Sequence, residues 1–156
     1  MGNSTYLLTL IIGYGNTLRG DDGVGRYLAD QIAALRWPHC QVLSVHQLTP
    51  DLAAAIADVD QVIFMDAQPL ESPSSPGVYI HTLQPADDQS TLTHHSTPAA
   101  LLTLTKVLYG KTVKAWWVLI PGINFAYGET LSPVTQAAQW DALDKIQSLI
   151  QSPEDG

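Results

Sequence analysis

Apolar residues recur along this chain in two rhythms, and their alternation predicts most of the fold. Residues 6–12 form an apolar run closed by Gly13 and Gly15, which is how a strand buried on both faces reads. Val24, Tyr27, Leu28, Ile32 and Leu35 then fall at three- and four-residue spacing, predicting an amphipathic helix that ends before Pro38. A second strand is expected at residues 41–45. Thr49-Pro50-Asp51 offers an N-cap, a proline at the first helical position and an early acid, so a second helix should run through Ala57. A third strand follows at 61–66, ending on Asp66. Strand, helix, strand, helix, strand requires right-handed crossovers and a parallel sheet.

The eleven residues 67–77 are rich in Pro and Ser and carry no helical pattern. A parallel return needs a dozen or more residues, usually helical, so the next strand, 78–82, is expected antiparallel at a sheet edge. Residues 83–93 read as polar loop, long enough at about 36 Å extended to carry the chain back across the sheet. Thr97-Pro98 opens a helix to Tyr109 with Gly110 as its C-cap, and 113–120 is a strongly apolar strand. If that strand is parallel, His94 lies at the same sheet edge as Asp22 and Asp66. Ser132-Pro133 starts the last helix, with Val134, Ala137, Ala138, Leu143, Ile146 and Ile150 as its apolar side, and 152–156 is expected to be a disordered tail. The expectation is one α/β domain over residues 1–156, a three-layer sandwich. Its twisted, mostly parallel sheet has about five strands, helices on both faces and one antiparallel edge strand.

Composition narrows the partners. The chain has 156 residues, 46% of them hydrophobic, which suits one core. Net charge is -8, and the seven Lys and Arg are scattered, so nucleic acid is not an expected partner. The single cysteine, Cys40, rules out a disulfide framework and a thiolate zinc cluster and reads as a buried small hydrophobe. Residues 7–12 are too short and lack the basic flank of a signal segment, and no apolar stretch has the length of a membrane span. A cytoplasmic location without a membrane is the expectation.

The densest local signal is Gly13-Tyr14-Gly15-Asn16-Thr17-Leu18-Arg19-Gly20-Asp21-Asp22-Gly23. A dinucleotide fingerprint fails there, because Leu18 replaces the third glycine and two carboxylates occupy the helix start that a pyrophosphate would need. Asp at a helix N-terminus is explained by capping alone, but one acid suffices for that. Asp21 is therefore assigned to capping or a structural bond, and Asp22 to a site. Asp66, at the carboxyl end of a central strand, sits where open α/β sheets bind ligands, although a turn-capping role fits it as well. His94 and His95 stand in the polar loop before a helix, and one of the two is expected to bind. Two carboxylates and an imidazole suit a borderline divalent cation with positions left open. His39, His46 and His81 read as structural or exposed, and Trp116 and Trp117 as core residues on opposite faces of their strand. No nucleophile elbow and no His-Glu-x-x-His motif is present.

The stretches "IIGYGNTLRGDDGVG", "VIFMDAQ", "HHSTPAALLTL" and "IPGINFAYGETLSP", in this order and spacing, resemble the maturation endopeptidases of [NiFe] hydrogenases over nearly the whole chain. The resemblance implies an aspartyl-type endopeptidase that removes a C-terminal extension from the hydrogenase large subunit after nickel insertion. It implies that nickel arrives within the substrate, the nickel-loaded large-subunit precursor, and that the enzyme holds no tightly bound cofactor of its own. The family's catalytic and metal-recognising roles map onto Asp22, Asp66 and His94, His94 being favoured over His95 by its distance to Leu101-Leu102. Many members carry Glu at the position of Asp22. "HHSTPAALL" and "WWVLIPG" look most like members serving bidirectional, NAD-linked hydrogenases. The alternative from another class is a non-catalytic metal-binding or nucleotide-binding module of this fold.

Overall fold

The computed structural model describes residues 6–70, 77–86 and 97–151. They form a five-stranded sheet in the order β2-β1-β3-β5-β4, built from β1 (Thr9–Tyr14), β2 (Cys40–Val45), β3 (Gln61–Pro69), β4 (Tyr79–Leu83) and β5 (Lys114–Gly122). β1, β2, β3 and β5 run parallel, and β4 pairs antiparallel along the outer side of β5. The α/β architecture with one antiparallel edge strand is the one expected. The helices are α1 (Val24–Leu35), α2 (Leu52–Ala57), α3 (Pro98–Tyr109) and α4 (Pro133–Gln151). The tail at 152–156 lies outside the described residues.

Side chains alternate across the sheet and divide the core into two layers. Ile11, Ile63, Met65, Val118 and Ile120 pack under α1 and α4 through Leu28, Ile32, Ala142 and Ile146. Leu10, Ile12, Val62, Phe64 and Ala115 face α2 and α3 through Leu52, Ile56, Leu101 and Leu102. The helix ends follow local chemistry. Thr97 accepts a hydrogen bond from the Ala100 N–H at 3.2 Å, Pro98 fills the first helical position, and Gly110 closes α3 with φ 66°. Ser132 Oγ accepts from the Thr135 N–H at 3.3 Å and caps α4.

Several element details depart from the sequence expectation. β1 begins at Thr9 and includes Gly13 and Tyr14, because its ladder partners Cys40 and Gln61 start at Thr9. Tyr6, Leu7 and Leu8 are exposed. β3 continues three residues past Asp66, because β5 keeps pairing with it to Gly122 after β1 has ended its register at Met65. α2 starts at Leu52 with Asp51 at its N-cap and no side-chain cap bond; Thr49 supplies its carbonyl to the Leu52 N–H at 3.1 Å. Leu35 is 51% exposed and Ala137 is exposed, while Ala29 and Ala142 fill the buried positions. Small residues let these helices lie close to the sheet. Cys40 is half-buried at the head of an edge strand rather than a full core residue, and desolvation pushes its thiol up.

The closest approach is between α1 and the first strand. A Cβ added at Gly13 would meet the Gly25 carbonyl oxygen at 2.1 Å, and one at Gly25 would meet the Met65 oxygen at 2.5 Å. Paired glycines bring the start of α1 down onto the backbones of β1 and β3. Gly25→Ala should therefore cost about 2–3 kcal/mol by overpacking. A chemical denaturation midpoint unchanged from wild type would contradict this close packing.

Candidate active site

β1 pairs with β2 on one side and β3 on the other, and the connections leave in opposite directions over opposite faces. The carboxyl ends of β1 and β3 thus flank the topological switch point, where doubly wound sheets bind ligands in a crevice. The loop after β1 forms one wall of it. Asp66, one residue past the last β1–β3 pair, projects from the other.

The loop is shaped from within. Gly15 has φ 144°, and a Cβ on it would strike the Asp22 carbonyl oxygen at 2.1 Å. The chain then turns through a short 3-10 segment, Gly20–Gly23, that carries both acids. Asp21 points inward and is fully buried. Its carboxylate accepts the backbone N–H groups of Ile123 (2.9 Å), Asn124 (3.0 Å) and Ser132 (2.7 Å) and the Ser132 hydroxyl (2.8 Å). Burial alone would raise its pKa, but these four bonds favour the anion and hold it below the usual carboxylate range. Gly20 N–H donates to the Gly128 oxygen and Gly128 N–H to the Leu18 oxygen, each at 2.8 Å. The loops after β1 and after β5 are thereby one unit. Asp21 is the structural acid of the doublet, as expected.

Asp22 points the other way. It is half-buried, and its Oδ2 accepts the Asn16 N–H at 2.7 Å, so part of its role is to close the loop on itself. Asp66 lies within Coulombic range of it. Desolvation, reinforced by the Asp22 charge, pushes the Asp66 pKa up to about 6, against the opposing pull of the Tyr14 hydroxyl and the Ala67 N–H. The Ala67 N–H donates to Asp66 Oδ1 at 2.8 Å. Tyr14 is itself raised far above its ordinary range, first by burial and then by the neighbouring Asp66 charge.

The fold brings together Asp22 and Asp66 from segments separate in sequence. His94 and its neighbour His95 lie outside the described residues. β5 runs parallel to β3. Among the described residues no group of three His, Cys, Asp or Glu side chains could hold a metal ion. His39, His46 and His81 are exposed, and His39 stacks on Tyr6 with ring centroids 4.4 Å apart. Sequence reading missed Tyr14 and Trp117. Tyr14 is the third member of the alternating row Leu10, Ile12, Tyr14, and the row's direction would have pointed it at Asp66. Trp117 is on the α2/α3 face, opposite Trp116 as expected, yet its indole N–H is buried without a hydrogen-bond partner.

No protein-family model matches this sequence, and no curated protein matches it. Solved structures do share its fold. The crystal structure of hydrogenase 2 maturation peptidase from a Thaumarchaeota archaeon superposes with a TM-score of 0.70 at 24% identity, covering 91% of this chain and 97% of that one. The [NiFe] hydrogenase maturation protease HycI from Thermococcus kodakarensis gives 0.69 at 19% identity, with 96% of each chain covered. The hydrogenase maturating endopeptidase HybD from E. coli gives 0.66 at 19% identity, covering 92% of this chain and 91% of that one. At these identities the likeness establishes a common fold over nearly the full length.

The raised Asp66 pKa has a consequence for stability. Its folded value, about 6, lies above the unfolded value near 3.8, so the fold favours the protonated form. The contribution is present below pH 4 and is lost as pH rises through 6, the reverse of an ion-paired carboxylate. Asp66→Asn removes the burial cost of the charge and should stabilise the protein by about 2–3 kcal/mol at pH 7.5, with the gain vanishing near pH 4. Thermal melts of both proteins at the two pH values check this, and an equal difference at both would refute it.

Proposed function

We propose that this chain is an endopeptidase that removes a C-terminal extension from the large subunit of a [NiFe] hydrogenase, and that it reads nickel carried by that substrate through Asp22, Asp66 and His94. The observation that carries the reading is the convergence of Asp22 and Asp66 in the switch-point crevice, where desolvation and mutual repulsion make Asp66 a costly charge until a cation arrives. The order of sequence motifs and the fold shared with maturation peptidases support it.

The chemistry follows from the donors. A nickel ion already held by substrate thiolates has coordination positions left, and carboxylate oxygens with an imidazole nitrogen suit it. Seating the metal there would fix the nearby scissile bond, and the cation could polarise its carbonyl or lower the pKa of a bound water towards about 7. Substrate without metal would leave two carboxylates facing each other uncompensated. Trimming thus waits for loading. The finer reading is a protease serving a bidirectional, NAD-linked hydrogenase, working in the cytoplasm, on the strength of "HHSTPAALL" and "WWVLIPG". Among the described residues no helix is long and apolar enough to cross a membrane.

Purified chain mixed with nickel-loaded and nickel-free large-subunit precursor should cleave only the loaded form. Asp22→Asn and His94→Ala should each lower cleavage by 100-fold or more, about 3 kcal/mol of transition-state stabilisation. Equal cleavage of both precursors would refute the metal-reading role, and full activity in either variant would refute that residue's assignment.

A further inference from the structure

Three polar groups occupy adjacent positions on the α2/α3 face of the sheet beneath the crevice. Tyr14 ends the β1 row of Leu10 and Ile12, Asp66 follows Val62 and Phe64 on β3, and Trp117 pairs with Phe64 across the β3–β5 ladder. Tyr14 is 9% exposed, and both the Asp66 carboxylate and the Trp117 indole act on its hydroxyl. Trp117 Nε1–H is buried and has no acceptor. An unpaired buried donor costs about 1–3 kcal/mol, so its place in the middle of a sheet face calls for a reason.

The donor inventory supplies one. An indole N–H only donates, an ionised carboxylate only accepts, and a phenol hydroxyl does both. A hydroxyl set between them has one self-consistent orientation. Asp66 Oδ1 is already engaged by the Ala67 N–H, so a second donor from below would fix the plane of the carboxylate. The lone pairs left over would then face the mouth of the crevice.

We propose that Tyr14 is a positioning residue for Asp66: its hydroxyl donates to the Asp66 carboxylate and accepts from the Trp117 indole N–H, forming a one-way chain that aims the carboxylate at the incoming substrate. This rests on Asp66 being a site residue, as argued above. Tyr14 and Trp117 act through Asp66, as supporting shells do in orienting ligating carboxylates.

The test is a pair of isosteric deletions, Tyr14→Phe and Trp117→Phe, each removing one hydrogen-bonding group and keeping the ring. On nickel-loaded precursor, Tyr14→Phe should lower kcat about tenfold with KM within twofold, and Trp117→Phe about threefold. The double variant should be no slower than Tyr14→Phe, because Trp117 acts only through Tyr14. A second readout is independent of cleavage. In the 15N-labelled chain, the Trp117 indole resonance, assigned by its disappearance in Trp117→Phe, should shift in Tyr14→Phe and in Asp66→Asn and stay in place in the remote Cys40→Ser. An unmoved resonance in both would overturn the chain, as would multiplicative losses in the double variant. If wild type cleaves no precursor, the proposed function fails while the resonance still decides this inference.

Discussion

The site depends on one buried anion. Asp21 carries a full charge in a place with no water access, and four donors from the loop after β5 and the start of α4 make that tolerable. Charge-assisted hydrogen bonds of this kind are roughly twice as strong as neutral ones, and removing one partner strands the rest. What they stabilise is a relationship between two loops more than 100 positions apart. The anchorage of its neighbour, together with the Asn16 N–H bond, gives Asp22 a defined place.

Asp21 and Asp66 are chemically the same side chain with opposite fates. Both are desolvated, yet one is surrounded by N–H and O–H groups and the other by a single backbone N–H, a phenol and a second carboxylate. The first is stabilised as an anion and locked. The second is left electrostatically dissatisfied, which is how binding sites differ from structural polar networks. The fold absorbs the cost of Asp66 elsewhere, in the two-layer core and in the glycine contact that seats α1.

Much of this was legible in the residues. The parallel order, the edge strand and the caps of α3 and α4 follow from period, connection length and turn chemistry, all of which act locally. The structural role of Asp21 also followed, although its bonds reach the loop after β5 and not a helix start. The end of β3 was not legible, because β5 and not the local sequence extends it past Asp66. Nor was the start of α2, where Asp51 takes the cap position and a 3-10 turn replaces the side-chain bond. Tyr14 read as part of the glycine-rich loop and Trp117 as a core residue, since their polar atoms matter only once register has set them near Asp66. His94 was inferred from motif and topology and lies outside the described residues.

The acidic doublet has a further implication for how such a loop can change over generations. Because adjacent residues in the tight turn Gly20–Gly23 face opposite ways, identity and position are inseparable there. Loss or gain of one residue between Gly15 and Gly23 would keep the composition almost intact while exchanging which acid is anchored and which is presented. A point change from Asp to Glu at 22 alters reach by one methylene, whereas an indel reverses the wiring. Loop length, as well as side-chain chemistry, therefore sets which acid this edge of the sheet presents.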